Sequence, residues 1–279
     1  MNSSRSHIET HLTRLCCQTI DVFEALRAQK NIISFQELTP YFEEIDELIK
    51  TVPADQSTEV LSCGDLLPLI PTMRSIRAGY EFAIENELAN SLVENETRGD
   101  ELAEAITDDY RGSAILGAAL RTKIGDKRQS CLIVGSGPLP ATALLFLSRF
   151  HLDVTCLDIV PESRMISERV FHAIETYAMP NHIVSDVLTW RDFSKYDLIF
   201  INGLVGGDAA SEIRSSKLHI VDHIRANQGE HSFIMLRSGY GLARLYYPEV
   251  VAPVSGGASV TSFLPEELGR SAITCLEPL

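Results

Sequence analysis

The sequence predicts an α/β protein in two parts, an all-helical N-terminal domain over residues 1–117 and a doubly wound, mainly parallel α/β domain over residues 118–279. Three observations predict it. Before residue 120 apolar residues recur every three or four positions, whereas after it short β-branched runs alternate with helical stretches. Charge divides at the same place: 9 of the 24 basic and 21 of the 38 acidic residues precede residue 120, giving net charges of −12 and −2 for the two halves. Finally, the run CLIVGSGP sets a glycine turn directly after a buried strand and before a helix.

Taken in order, Ile8, Leu12, Leu15, Thr19, Phe23 and Leu26 form one stripe of a helix that ends near residues 29–31. A second helical segment follows SFQE, in which Ser34 and Glu37 have capping-box spacing and Pro40 limits where regular helix begins. Residues 51–72 hold three prolines and a glycine and read as a connection of short turns. From Met73, the residues Ile76, Tyr80, Ile84, Leu88 and Leu92 mark a long amphipathic helix. The seven acids of residues 93–109, offset only by Arg98, read as a solvated helix or loop without catalytic meaning.

In the second half CLIVG, VTCLDI, His182 to Val184, DLIFIN, SFIML and SAITCL read as strands. Helices are expected through Leu144, from Glu162 to Tyr177 and from about Ala209 to Ile224. Such alternation gives a parallel sheet with helices on both faces.

Composition narrows the function. A net charge of −14 argues against a nucleic-acid partner. No apolar run approaches the ~20 residues that cross a bilayer, and the opening MNSSRSHIETHLTRLCC lacks the apolar core of a secretion signal, so the expectation is a cytoplasmic protein without a membrane partner. The six cysteines form no CxxC pair or Cys/His cluster, and no metal is expected. Cys131, Cys156 and Cys275 lie within apolar strands, where a thiol acts as a small hydrophobe.

The glycine turn carries the chemistry. Gly135 and Gly137 let the backbone turn and approach a ligand, and Asp158, 23 residues after Gly135, closes the next strand where a carboxylate accepts hydrogen bonds from ribose hydroxyls. The competing reading is a tight turn with Asp158 capping the next helix. The dinucleotide fingerprint would place its third glycine at Pro140, so a pyrophosphate site is weakened. S-adenosylmethionine has no pyrophosphate and needs only a turn, a ribose acid and a polar group near adenine, which Asp186 can supply. The expected donor-binding set is Gly135, Ser136, Gly137, Pro138, Leu139, Asp158, Ile159, Asp186, Val187 and Asn202. Asn202 ends DLIFIN, and GLVGG after it permits close backbone approach; the plainer reading is a turn asparagine.

GSGPLPATALLF together with MLRSGYGLARLYYPEV resembles the nicotianamine synthase family, including its bacterial branch that makes opine-type metallophores of the staphylopine and pseudopaline kind. The resemblance implies a Rossmann-like class I S-adenosylmethionine-dependent transferase domain covered by a helical domain. It implies transfer of the 3-amino-3-carboxypropyl group of S-adenosylmethionine to an amine, with release of methylthioadenosine. In the bacterial branch the acceptor is the α-amine of histidine, and the product passes to an opine dehydrogenase. The finished metallophore, not the enzyme, binds metal. RGSAILGAAL lacks a glutamate that plant members carry after the corresponding tyrosine, which argues against plant-like multiple condensation.

The acceptor ammonium must lose a proton, and Glu81, on the edge of the long helix's apolar face, resembles the family's catalytic glutamate. Glu85 and Glu87 compete for that role, and an i, i+4 surface pair with Arg77 is the plainer reading of Glu81. Tyr110 resembles the family tyrosine that positions the donor; otherwise it is a junction aromatic. Arg237, after SFIML, can hold a substrate carboxylate with its planar fork. Tyr240 can line the same cleft, with Tyr246 or Tyr247 as equal alternatives. Rival readings are an ordinary methyltransferase, another amine acceptor, and a non-catalytic nucleotide-binding module whose acidic half binds a partner. A homodimer is expected only from the symmetry common among enzymes.

Overall fold

The computed structural model describes residues 2–28, 35–94, 99–108, 113–124, 129–175, 177–206, 215–249, 260–263 and 271–276. Its helical half comprises α1 (Asn2–Ala28), α2 (Thr39–Thr51), α3 (Ala54–Leu61), α4 (Ile70–Glu94), α5 (Gly99–Asp108) and α6 (Ser113–Ile124). Helix α2 follows a 3₁₀ turn at Phe35–Leu38 and carries Pro40 in its first turn, where a missing N–H costs nothing. Ser34 lies outside the described residues.

The stretch 51–72 differs from expectation, since it contains α3 and a 3₁₀ turn at Leu67–Leu69. Its prolines sit at helix starts: Pro53 is the N-cap residue of α3, Pro68 is the second residue of the 3₁₀ turn and Pro71 is the second residue of α4. The acidic segment likewise yields α5, whose Leu102, Ala103 and Ile106 are buried, while residues 95–98 and 109 lie outside the described residues.

The sheet is built from β1 (Ser130–Val134), β2 (Asp153–Asp158), β3 (Asn181–Val184), β4 (Leu198–Ile201), β5 (Phe233–Gly239), β6 (Val260–Phe263) and β7 (Ser271–Leu276) in the order β3-β2-β1-β4-β5-β7-β6. The first five are parallel, and β7 runs antiparallel between β5 and β6. The four-residue VTSF strand β6 was not expected from sequence; it lies among Gly, Ser and Val without an apolar run. Helices α7 (Ala141–Phe150), α8 (Pro161–Ile174) and α9 (Ser215–Arg225) complete the alternation. Glu175, in the left-handed region at φ 59°, ends α8 before the expected Tyr177.

Period-two alternation sorts the strand residues. Cys131 and Ile133 of β1, with Leu198 and Phe200 of β4, pack with Phe146 of α7 and Phe171 of α8. Leu132 and Val134, with Ile199 and Ile201, pack on the other face against Ile220, Val221 and Ile224 of α9.

Helix α4 joins two cores. Its first half gives Met73 and Ile76 to a helical core with Leu12, Phe42 and Ile45, and its second half gives Ala89 to the core around α5 and α7. After β5 the chain makes a 3₁₀ turn at Gly241–Leu245, and Leu242, Leu245 and Tyr246 enter the helical core. Arg74 Nη2 donates to the Arg244 carbonyl at 2.6 Å, and Arg244 Nη2 donates to Thr58 Oγ1 at 2.8 Å. The 3₁₀ turn that follows β5 is therefore tied to α3 and α4. Among the described residues no helix is long and apolar enough to cross a membrane.

Candidate active site

The strand order reverses between β1 and β4, so the βα connections diverge there and leave a crevice at the carboxyl ends of the strands. Helix α4 roofs that crevice. The result is a cavity of about 960 Å³ walled by the turns after β1 to β5 and by Ala78, Gly79, Glu81, Phe82, Glu85 and Leu88 of α4. Leu88 belongs to the expected apolar stripe, yet it is 38% exposed because it faces this space.

The floor is the turn after β1. Gly135 and Gly137 have φ of 72° and 69°, values favoured by glycine. The Gly135 N–H donates to the Leu157 carbonyl at 2.8 Å, and Asn202 Nδ2 donates to the Gly135 carbonyl at 2.7 Å, so β2 and β4 hold the turn from both sides. Asp158 accepts from the Gly137 N–H at 2.8 Å on Oδ2 and from the Val160 N–H at 2.9 Å on Oδ1. A carboxylate has about four acceptor positions. Two therefore remain for a ligand. Ile159, directly after it, is 64% exposed within the cavity wall. Asp186 accepts from the Leu188 N–H at 2.9 Å, which sets the turn after β3.

On the roof, Glu81 accepts from Arg77 Nε at 2.6 Å and from the Tyr247 hydroxyl at 2.5 Å. Arg77 is buried, 3.7 Å from Asp46, and its guanidinium lies 4.9, 5.3 and 4.7 Å from the ring centroids of Phe42, Tyr80 and Tyr246. Burial alone would disfavour its charge, but Glu81, Tyr247, Tyr246 and Asp46 outweigh that and hold the guanidinium firmly protonated. Burial raises the Tyr247 hydroxyl above the ordinary phenol range, and the Glu81 charge adds to the shift, so Tyr247 is the donor in the pair.

One turn further along α4, burial pushes the Glu85 carboxyl up to about 8; the charges of Glu81 and Asp158 add to the rise, and Arg237 and the Leu139 N–H oppose it. Glu81, Asp158 and Asp186, with the carboxyl of Glu85, thus line a cavity whose cationic side chain among the described residues is Arg237, so the acids outnumber it even with Glu85 protonated. This charge balance favours a cationic ligand.

Of the residues singled out from sequence, Glu81, Glu85, Gly135, Ser136, Gly137, Pro138, Leu139, Asp158, Ile159, Asp186, Val187, Asn202 and Arg237 all face the cavity. Glu87 does not; it is exposed and accepts from Gln36 Nε2 at 3.1 Å. Tyr240 immediately precedes the 3₁₀ turn and is not among the lining residues, Tyr246 is buried in the helical core, and among the described residues Tyr247 is the tyrosine that lines the cavity. Its ring packs on Gly203, where an added Cβ would lie 3.1 Å from Cδ1. Tyr110 lies outside the described residues.

Sequence reasoning did not single out Lys217. Its buried ammonium donates to the carbonyls of Asn202, Gly203 and Arg237 at 2.8, 2.9 and 2.6 Å, pinning the ends of β4 and β5 together. Burial, then the Arg237 and Arg74 charges, lowers its pKa well below the lysine range. Among the described residues no group of three or more His, Cys, Asp or Glu side chains is placed to hold a metal ion.

Solved structures share this architecture. A glutamate-to-glutamine mutant of MtNAS matches with a TM-score of 0.78 and 16% identity, covering 97% of both chains. MtNAS in complex with MTA and tNA matches with a TM-score of 0.76 and 17% identity, again over 97% of each chain. The glutamate-to-glutamine mutant in complex with S-adenosylmethionine matches at 0.71 and 16%, over 92% of this chain and 97% of that one. No curated protein matches the chain in sequence. The model of the nicotianamine synthase protein family matches residues 6–267, a span that takes in the roof, the floor and the 3₁₀ turn bearing Tyr247. The chain belongs to the nicotianamine synthase family.

Proposed function

We propose that the protein transfers the 3-amino-3-carboxypropyl group of S-adenosylmethionine to an amine and releases methylthioadenosine, with the α-amine of histidine as acceptor in the synthesis of an opine-type metallophore. One observation carries the reading. A nucleoside floor and a fixed carboxylate, Glu81, share one cavity of strongly negative lining. Family membership and the ligands of the MtNAS structures support it.

The floor suits the donor. Asp158 has acceptor positions left for ribose hydroxyls, Ile159 offers an apolar face for adenine with Val187 beside it, and Asp186 offers an acceptor near the base. Ser136, Pro138 and Leu139 shape the turn under the amino-acid end, and Arg237 pairs with a carboxylate of donor or acceptor. Bound there, the donor supplies a sulfonium whose neighbouring carbon is the electrophile. The acceptor nitrogen bonds to that carbon as the C–S bond breaks, and the bonding pair leaves on sulfur as a neutral thioether. Glu81 takes the amine proton, its oxygens aimed by Arg77 and Tyr247. Tyr110 keeps the donor-positioning role implied by its family, and Tyr247 takes the cleft role that sequence offered to Tyr240 or its neighbours. The product passes to an opine dehydrogenase.

Mass spectrometry of purified protein with S-adenosylmethionine and an amino-acid mixture tests the reading. The expected products are methylthioadenosine and histidine carrying one aminobutyrate unit. S-adenosylhomocysteine would make the protein a methyltransferase, an adduct on another amine would replace the acceptor, and donor bound without consumption would make it a binding module. Tyr247→Phe keeps the ring on Gly203 but removes the hydroxyl that aims Glu81. Turnover is expected to fall about tenfold with donor KM unchanged, read by methylthioadenosine release.

A further inference from the structure

Glu81, Glu85 and Asp158 share the cavity above the glycine turn, and they are not compensated alike. Glu81 has the Arg77 guanidinium and the Tyr247 hydroxyl. Asp158 has two backbone N–H groups. Glu85 stands directly over the turn, its Oε2 2.7 Å from where a Cβ on Gly137 would lie, and receives the Leu139 N–H while facing the charges of Glu81, Asp158 and Arg237. In the donor pose proposed above, with the ribose on Asp158, the sulfonium lies on the Gly137 side of the ribose, beneath Glu85.

We propose that Glu85 reads the charge of the nucleoside ligand, exchanging its own proton for the positive sulfonium of the donor and taking the proton back when only the neutral thioether remains. The inference rests on the donor assignment above. The physical argument is a charge balance in a confined space. With the charges of Glu81 and Asp158 nearby, a third anion beside the turn is unfavourable, and without a cationic ligand Glu85 stays protonated below about pH 8. A cation seated over the turn reverses this, because it attracts all three carboxylates and makes the ionised form of Glu85 the stable one. Transfer converts the sulfonium to a thioether, so the attraction disappears and Glu85 takes back from solvent the proton that donor binding released there, while the acceptor's own proton stays with Glu81. The by-product then lacks the contact that held the donor.

The sign of the pH dependence follows. Below pH 8 donor binding must expel a proton, so donor affinity rises with pH, by about tenfold between pH 7 and pH 9, and then levels off. The neutral ligands S-adenosylhomocysteine and methylthioadenosine lack this sulfonium-linked rise.

Titration calorimetry in buffers of different ionisation enthalpy counts the protons released at pH 7 for wild type and Glu85→Gln. Subtracting the variant removes any proton lost by the donor's own amine. The expected difference is close to one proton for S-adenosylmethionine and near zero for methylthioadenosine. Wild type is expected to prefer S-adenosylmethionine over S-adenosylhomocysteine by about tenfold more than Glu85→Gln does at pH 9, with methylthioadenosine binding unchanged as the check that the variant is folded. Equal proton counts and equal preferences in the two proteins, with donor binding intact, would overturn the role of Glu85 and leave the donor assignment standing. Failure of wild type to bind any of the three nucleosides would overturn the donor assignment and this inference with it.

Discussion

Replacing Glu81 by glutamine is expected to lower turnover by about 10²- to 10⁴-fold while donor affinity stays within a few fold. The acceptor enters as an ammonium and cannot attack until it loses a proton. Glutamine fills the same volume and can still accept from Arg77 or Tyr247, but it cannot take that proton. Arg77 holds one Glu81 oxygen from within the helical core, and Tyr247 reaches the same carboxylate from beyond β5. Two elements distant in sequence thus converge on one group, an arrangement that a solvated i, i+4 pair would not need. Glutamine also leaves Asp46 as the remaining anionic partner of the buried Arg77 among the described residues, so a lower melting temperature is expected beside the kinetic loss. Two measurements separate the effects. Glu81→Asp retains a base and should recover part of the rate. In Glu81→Gln the residual rate should climb about tenfold per pH unit as the acceptor deprotonates in solution. A single-turnover rate close to wild type would move the base to another group, with Glu85 the first to examine.

The sheet was legible because buried parallel strands leave a compact signature. In β1, Cys131 to Val134 are apolar without interruption, and each faces a helix on one side or the other. Strand β6 has no such run, since VTSF gains its place by pairing with β7. The floor of the candidate site was legible for the same reason as the strands: Gly135, Gly137 and Asp158 belong to one continuous strand-turn-helix-strand unit, β1 to β2.

The roof was less so. Sequence offered Arg77 only as an alternative surface partner of Glu81, because the rings that bury it, Phe42 and Tyr246, come from α2 and from beyond β5. Neighbouring tyrosines also part company, Tyr246 entering the helical core and Tyr247 the cavity. The direction each takes is set by the 3₁₀ turn at Gly241–Leu245 and its tie to Arg74, which spacing along the chain does not encode.

Gly135→Ala is expected to weaken donor binding by roughly a hundredfold or more and to destabilise the fold by about 2–4 kcal/mol. The positive φ of 72° costs any L side chain about 1–2 kcal/mol. The new methyl would also lie 2.2 Å from Val205 Cγ2, a β-branched side chain with little rotamer freedom. The turn cannot simply slide away, because the Gly135 N–H is bonded to Leu157 and its carbonyl receives Asn202. Gly137→Ala is the informative contrast. It carries the same kind of φ penalty at 69°, but its methyl meets only the far end of Glu85 at 2.7 Å, which can swing aside. It should therefore cost less stability than Gly135→Ala. The double variant Gly135→Ala/Val205→Ala removes the clash and keeps the φ penalty, so it should regain part of the melting temperature and part of the affinity. Calorimetric titration with S-adenosylmethionine and thermal unfolding read both quantities. Wild-type affinity in Gly135→Ala would mean that the donor does not sit on this turn, and with it the assignment of Asp158 to the ribose would fall.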